Sequence, residues 1–284
     1  MAPQLVEVEI SGGIGNQLFQ YAAGLALSRR LNAQLVLDTS WYRRGNRRKS
    51  GREFILPQFI NIDKDKLRSS ALHPVVQKLS RVFSRYIKLD DDWAKPTDLD
   101  SLVTTRNIRM RGYWQNERYF SLLAPILRSE LTSRRVVSPL ALSLEKEIQS
   151  QISIGLHVRR GDYISNPETN AFHGVCDISY YVGATELVFG ATGASKVFVF
   201  SDEINWCKRE LRFDTEITYV EDTIGDVDQL KLMSLCDHHV ISNSSFSWWA
   251  AWLGQSEEQI VVYPKNWFAD GSSLEDMPSS WMPL

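Results

Sequence analysis

Two adjacent arginines stand directly after an apolar run, in Ile152-Ser-Ile-Gly-Leu-His-Val-Arg-Arg-Gly-Asp-Tyr163. Guanidinium groups are planar forks that match phosphate oxygens, and two side by side are costly unless an anion meets them. Arg159 or Arg160 is therefore a candidate to neutralise a diphosphate. The competing assignment is a structural Arg–Asp salt bridge within the loop. Arg160-Gly161-Asp162 also spells an adhesion tripeptide, which needs an exposed loop on a secreted protein, and nothing else in the chain supports one. In Phe198-Val-Phe-Ser-Asp202 a carboxylate ends another apolar run. Such a group can accept both N1–H and the exocyclic amine of a guanine, or it can cap a following helix. Val240-Ile-Ser-Asn-Ser-Ser-Phe opens a helix with Asn243, Ser244 and Ser245 in a row. A cap needs one such residue, so three suggest an anion cradle of amides and hydroxyls. Near the start, Ser11-Gly-Gly-Ile-Gly-Asn-Gln17 is a glycine-rich turn in which Gly13 and Gly15 present backbone amides at a helix start. Asn16 and Gln17 add side-chain amides there; a plain helix cap is the alternative. Gly112-Tyr-Trp-Gln-Asn-Glu-Arg-Tyr-Phe120 mixes rings with amides. Sugars are met that way, apolar faces on a ring such as Trp114 and hydroxyls on an amide such as Gln115, although an aromatic corner of the core reads the same.

Each of these segments needs an element to aim it. Leu5 to Ile10 alternates as a strand, an amphipathic helix is expected from about Leu18 to Leu31, and Gln34 to Asp38 forms a second strand. Gly13-x-Gly15 after a strand, with Asp38 about twenty residues on, invites a dinucleotide-binding reading. Position 18 is Leu where that turn requires a small residue for close helix–strand packing, which weakens the reading. Helical patterns fill 63 to 88, Asp90-Asp-Asp-Trp marks a loop that is either simply exposed or a metal candidate, and Asn107 to Trp114 alternates as a strand. A helix from Ser138 to Ser150, with Pro139 in its first turn, leads into a strand over 152–158. Helices over 178–190, 203–212 and 227–236 then alternate with strands over 196–201, 216–220, 239–242 and 259–263, the last closing the series. This is a doubly wound parallel pattern, whose ligands sit where loops leave the carboxyl edge of the sheet. Trp248, Trp249 and Trp252 are expected to pack their helix on that sheet.

At 284 residues, 43% hydrophobic and 23% charged, the chain is a globular protein of one large or two ordinary domains. The net charge of −2 conceals an asymmetry. Residues 1–150 carry 24 Lys/Arg against 15 Asp/Glu, whereas residues 151–284 carry 8 against 19. Two domains with different partners follow. The three cysteines are widely spaced without metal-ligand spacing, as expected of reduced thiols in a cytoplasmic protein. No apolar run is long enough for a membrane span, and Met1-Ala-Pro-Gln runs straight into a strand pattern, so no secretory signal is expected. Asn243-Ser-Ser fits a glycosylation sequon, which has no meaning in a cytoplasmic protein. The basic residues Arg43, Arg44, Arg47, Arg48, Lys49 and Arg52 form either a solvated loop or a contact to an anionic membrane face or anionic acceptor. No aromatic–basic interleaving points to nucleic acid.

Taken together, the segments resemble the bacterial α-1,2-fucosyltransferases of glycosyltransferase family 11. The matching stretches are Gly12-Gly-Ile-Gly-Asn-Gln-Leu-Phe-Gln-Tyr-Ala22, Gly112-Tyr-Trp-Gln115, His157-Val-Arg-Arg-Gly-Asp-Tyr163, Leu232-Met-Ser-Leu-Cys236 and Asn243-Ser-Ser-Phe-Ser-Trp-Trp-Ala-Ala-Trp-Leu253, in the family's order. The resemblance implies an α/β, GT-B-like fold with two Rossmann-like lobes facing a cleft. Residues 1–137 would be the acceptor-side lobe with the glycine-rich loop, and 138–284 the GDP-sugar-binding lobe. The implied reaction is inverting transfer of L-fucose from GDP-β-L-fucose to the 2-hydroxyl of a terminal galactose in a β-galactoside, in O-antigen or other surface-glycan synthesis. No cofactor and no obligatory metal are implied, and the place is the cytoplasm, with peripheral contact to the inner membrane face. By the same resemblance Arg159 grips the donor's β-phosphate, and His157, Arg160 and Asp162 complete its motif. The turn Ser244-Ser245-Phe246 would bind the diphosphate and Asn16 would face the sugar. A carboxylate near the phosphate grip can reach the acceptor oxygen, so Asp162 is the candidate base; its alternative role is to hold Arg160 in place. Gln229, beside Asp228, departs from the acidic residue of the family pattern. Two rival readings stand beside the transferase: a non-catalytic sugar-binding protein on the same scaffold, and a nucleotide-dependent oxidoreductase.

Overall fold

Alternation in Leu5-Val-Glu-Val-Glu places Val6 and Val8 on one face, and both are fully buried in a parallel sheet. In the computed structural model, which describes residues 3–43, 51–59, 86–91, 97–131, 138–274 and 276–284, the chain divides into two compact units, Met1–Arg134 and Arg135–Leu284.

The first unit contains β1 (Leu5–Glu9), α1 (Ile14–Arg30), β2 (Gln34–Asp38), β3 (Ile87–Asp90), β4 (Ile108–Arg111) and α2 (Ala124–Glu130). The strand order is β2-β1-β4-β3, parallel throughout. α1 starts four residues before the expected Leu18, immediately after Gly13. Gly15 and Asn16 are poor helix formers, yet Ile14, Gly15 and Gln17 are buried, and tertiary packing overrides propensity. Leu18 is fully buried. Gly24, further along α1, faces β1 so closely that a Cβ there would stand 2.4 Å from Val8 Cγ2. The helical expectation for 63–88 is corrected at its end. Ile87 and Lys88 belong to β3, where an alternating exposure pattern pairs Ile87 with Ile108 of β4. The remainder of that stretch, and most of the basic run 43–52, lie outside the described residues.

The second unit runs α3 (Pro139–Gln149), β5 (Ser153–Val158), α4 (Gly161–Ser165), α5 (Pro167–His173), α6 (Ile178–Ala191), β6 (Lys196–Ser201), α7 (Ile204–Glu210), β7 (Glu216–Tyr219), α8 (Asp226–Ser234), β8 (His238–Val240), α9 (Ser245–Leu253), β9 (Val261–Tyr263) and β10 (Met282–Pro283). Ser138 caps α3, its hydroxyl accepting from Ala141 N at 3.1 Å ahead of Pro139. All six strands are parallel, in the order β7-β6-β5-β8-β9-β10. β5 and β6 are buried at every position, as central parallel strands are. The sheet does not close at 259–263, because Met282–Pro283 adds an edge strand beside β9, a position where Pro is tolerated. α4 and α5 were not legible as helices. Asn166 separates them, its side chain accepting from Glu168 N and Thr169 N, and Gly174 at φ 64° ends α5. Trp248, Trp249 and Trp252 are buried and pack α9 into the unit, as expected. Among the described residues no helix is long and apolar enough to cross a membrane.

Candidate functional site

Numbered from its own first strand, the second sheet has the order 3-2-1-4-5-6, and the direction of winding reverses between β5 and β8. Ligands of open parallel sheets bind at the carboxyl ends of the strands flanking such a reversal. The two polar segments singled out from the sequence leave those two strand ends.

Arg159 follows β5. Its Nη2 is 2.6 Å from Asp162 Oδ1 and its Nη1 is 2.9 Å from Asp202 Oδ2, with its side chain largely buried. Burial works against its charge, but Asp202 and Asp162 more than offset this and leave the guanidinium more firmly protonated than usual. The guanidinium also lies over the Tyr163 ring, 5.4 Å from the centroid. The salt-bridge arrangement weighed at the outset is thus present, with a partner from the neighbouring strand as well as from the loop. Asp202 is committed on both oxygens, since Oδ1 accepts from Arg160 N at 3.0 Å. It sits against Gly161, where a Cβ would come within 2.7 Å of its Oδ2. Its geometry is that of a loop anchor rather than of an open guanine reader. Asp162 holds Arg159, not Arg160. Arg160 instead lies over Trp206 of α7, 3.8 Å from the ring centroid.

After β8, Ser242 Oγ meets His157 Nδ1 at 2.8 Å, tying the ends of the two strands together. Burial, reinforced by Arg159, pushes the His157 imidazole down to about 3, so it is neutral and part of the scaffold. Asn243 is likewise spoken for. Its Nδ2 donates to His173 O (2.8 Å) and Trp267 O (3.1 Å), and Tyr163 OH donates to its carbonyl at 3.1 Å. Both side chains shape the site from behind. Ser244 precedes α9, whose ladder begins with Trp248 N on Ser244 O at 3.0 Å. The amides of Ser245, Phe246 and Ser247 therefore precede the ladder at the positive end of a nine-residue helix. Phe246 packs at 5.2 Å from the His157 ring. Gln229, the departure from the family pattern, donates to Ile224 O at 2.7 Å and fixes the turn before α8.

In the first sheet, ordered 2-1-4-3 by its own strands, β1 and β4 are neighbours. There too the two sequence segments meet. Gln115 Nε2 donates to Asn16 Oδ1 at 2.7 Å, and Gln20 Nε2 donates to Gly112 O at 3.0 Å. Gly12, at φ 77°, sits in the left-handed region that favours glycine, and a Cβ there would also press on the Asn16 side chain. Gly13 is extended ahead of α1 and Gly15 is buried inside its first turn. Gln17 is structural, bonded to Gly12 O, Glu53 O and Ile55 N. Trp114 does not present a face to an acceptor. Its ring is fully buried against Tyr119, its backbone N–H donates to Asp91 Oδ2 at 2.6 Å, and the exposed ring of that segment is its neighbour Tyr113. Sequence reading missed Tyr163, His173 and Gln20. Tyr163 and Gln20 lie within segments that the sequence marks, but their contacts to Asn243, His173 and Gly112 join parts far apart in the chain.

A family model described as "Glycosyl transferase family 11" matches residues 3–280. The "Alpha-1,2-colitosyltransferase" of Escherichia coli is 32% identical over 298 residues, spanning 99% of each chain. The "O-antigen biosynthesis glycosyltransferase WbnK" of Escherichia coli is 29% identical over 97% of this chain and 99% of its own. The "Galactoside alpha-(1,2)-fucosyltransferase 1" of Ateles belzebuth is 25% identical over 90% of this chain and 66% of that one. Among solved structures, NodZ alpha-1,6-fucosyltransferase soaked with GDP-fucose superposes with a TM-score of 0.52 at 15% identity, covering 89% of this chain and 93% of that one. That last likeness is one of fold, two parallel α/β units of GT-B-like type.

Proposed function

The chain belongs to glycosyltransferase family 11, and on that premise we propose that it transfers L-fucose from GDP-β-L-fucose to the 2-hydroxyl of a terminal galactose with inversion. The observation that carries this reading is the cationic strand end at the reversal of the second sheet, Arg159 braced by Asp162 and Asp202 next to the strand that leads into α9. In the transfer the bond from the sugar's C1 to the β-phosphate oxygen breaks. A bond from C1 to the acceptor oxygen forms on the opposite face, and the acceptor's proton passes to a carboxylate or to water. Negative charge therefore grows on the β-phosphate. The remaining N–H groups of Arg159 and the first-turn amides of α9, with the Ser244 and Ser245 hydroxyls, are the donors assigned to meet it. Each preorganised donor of this kind is worth about 3–4 kcal/mol in a transition state. Asp162 is assigned to aim Arg159. Asn16 and Gln115, hydrogen-bonded to each other, are assigned to the sugar-facing side of the first unit.

The galactoside acceptor and 1,2 linkage are supported by the name of the primate relative, and surface-glycan synthesis by that of WbnK. A second donor is favoured by the colitosyltransferase, the relative at 32% identity. Colitose is L-fucose without its 3-hydroxyl, so the two donors share the diphosphate grip and differ at one polar contact. Incubating the chain with GDP-fucose or GDP-colitose and a β-galactoside, followed by NMR of the product linkage, tests both. An α-1,2-fucosyl product formed with the higher kcat/KM supports the first reading, and preference for GDP-colitose replaces the donor. Absence of transfer from either overturns both. With Arg159 and the first-turn amides of α9 assigned to the leaving group, turnover is expected to be unchanged by EDTA. A tenfold loss restored by Mg²⁺ or Mn²⁺ would overturn that point.

A further inference from the structure

Arg159 heads a column of flat groups. Its guanidinium lies over Tyr163, at 5.4 Å from the centroid. Tyr163 stacks on His173 at 4.6 Å with ring planes only 5° apart. His173 in turn stacks toward Phe268, at 6.2 Å and 27°, while Phe172 meets both His173 and Phe268 edge-on. The column joins four places in the chain, namely the end of β5, α4, the last residue of α5, and the loop after β9.

Each end of the column is pinned. The Tyr163 hydroxyl donates to Asn243 O, and the His173 carbonyl accepts from Asn243 Nδ2, so one asparagine before α9 holds both adjacent layers. The loop carrying Phe268 is fastened to α5 through Ala269 N donating to Phe172 O at 3.0 Å. His173 Nδ1 is buried without a hydrogen-bond partner among the described residues. A polar ring would not be kept there for its hydrogen bond, because an unmet buried nitrogen costs rather than contributes. What the ring supplies is a flat face at the right height. Burial keeps the imidazole below its ordinary range, opposed by Asp162 and reinforced by Arg159, so the layer next to the guanidinium–Tyr163 pair is uncharged. A neutral aromatic layer supports the electron-rich face that a guanidinium needs.

We propose that His173 is a positioning residue for the proposed transfer: through Tyr163 it fixes the height and tilt of Arg159, and so the aim of the diphosphate grip. This rests on the assignment of Arg159 to the donor phosphate. Asp162 and Asp202 fix where the guanidinium's two outer nitrogens point. The column fixes the plane of the group, which two carboxylates at its tips leave free to rock.

The test is a set of variants assayed for kcat and KM with GDP-fucose and a β-galactoside, with folding checked by circular dichroism and thermal unfolding. His173→Ala is expected to lower kcat at least tenfold and to leave the acceptor KM within twofold. His173→Phe, which restores a flat face without nitrogens, is expected to recover activity to within about threefold of wild type. His173→Gln, which keeps polarity without a ring, should resemble His173→Ala. In an Arg159→Ala background, His173→Ala should cost little more, since coupled residues are non-additive. Full activity in His173→Ala, failure of the Phe variant where Gln succeeds, or additivity in the double variant would each overturn the proposal. If the wild-type chain neither binds GDP nor transfers the sugar, the donor assignment itself fails. A variant effect can be scored only against an active wild type, so the two failures are distinguishable. Should His173→Ala fail to fold, the comparison of Phe with Gln decides alone.

Discussion

At the scale of single residues, the side chain assigned the most chemistry is also the most constrained. Arg159→Ala is expected to reduce kcat at least about a hundredfold while the fold persists, the usual loss on removing one preorganised donor. Arg159→Lys should recover little, because a point charge cannot span Asp162 and Asp202 and present further N–H groups at once. Steady-state kinetics beside circular dichroism check both, and near-normal turnover in the alanine variant would remove Arg159 from the mechanism. His157 yields a prediction of another kind. Its folded value lies at about 3 against about 6.5 for a free imidazole. Between those values the unfolded chain takes up a proton that the folded chain refuses, so stability present above pH 6.5 is lost as pH falls toward 3. Urea unfolding at pH 7 and pH 4.5 should show His157→Gln less stable at the higher pH, yet losing less stability than wild type on acidification. The strand-end position of Arg159 was legible in the sequence, because an apolar run that stops at charged residues marks where a strand ends. Its contact with Asp202 was not legible, because strand adjacency, not local pattern, decides what a carboxylate faces. Trp114 was misread for a related reason: a ring among amides signals a sugar only if it is exposed.

Elements were legible where their periodicity is long or their burial complete. β2 and β6 fall where alternation and apolar runs put them, and α3 begins at its Ser-Pro cap. Short helices such as α4 and α5, and the two-residue β10, carry too few periods to be seen. Helix packing gives a paired prediction. A Cβ at Gly254 would stand 2.2 Å from the Ser234 carbonyl, where α9 passes α8, so Gly254→Ala should destabilise by about 1–3 kcal/mol. Gly190 lies exposed near the end of α6 with nothing within 4 Å of a new Cβ, so Gly190→Ala should be neutral or stabilise by up to about 1 kcal/mol. Thermal unfolding of the two variants side by side separates contact from propensity. Equal shifts would mean that α8 and α9 give way at no cost.

For the whole molecule, the second sheet puts its sequence segments at the reversal of winding, and the first puts its own after the neighbouring strands β1 and β4. This placement was only half visible beforehand. The alternation of helices and strands announces parallel sheets, but strand order depends on which crossovers run in which direction. Assignment of the donor to the second unit predicts where GDP protects the backbone. Amide exchange at 159–163 and 244–248 should slow at saturating GDP, and that at 12–20 should not. Protection confined to the first unit would reverse the roles of the two. The braced arginine has one further effect, on how each cycle ends. Because Arg159 rests between two carboxylates, the proposed departure of spent GDP would leave a cation still paired rather than stranded. Letting go is thereby made easy, and Asp202→Asn should clasp GDP more firmly, with a lower inhibition constant and slower turnover: an enzyme that catches well and lets go badly.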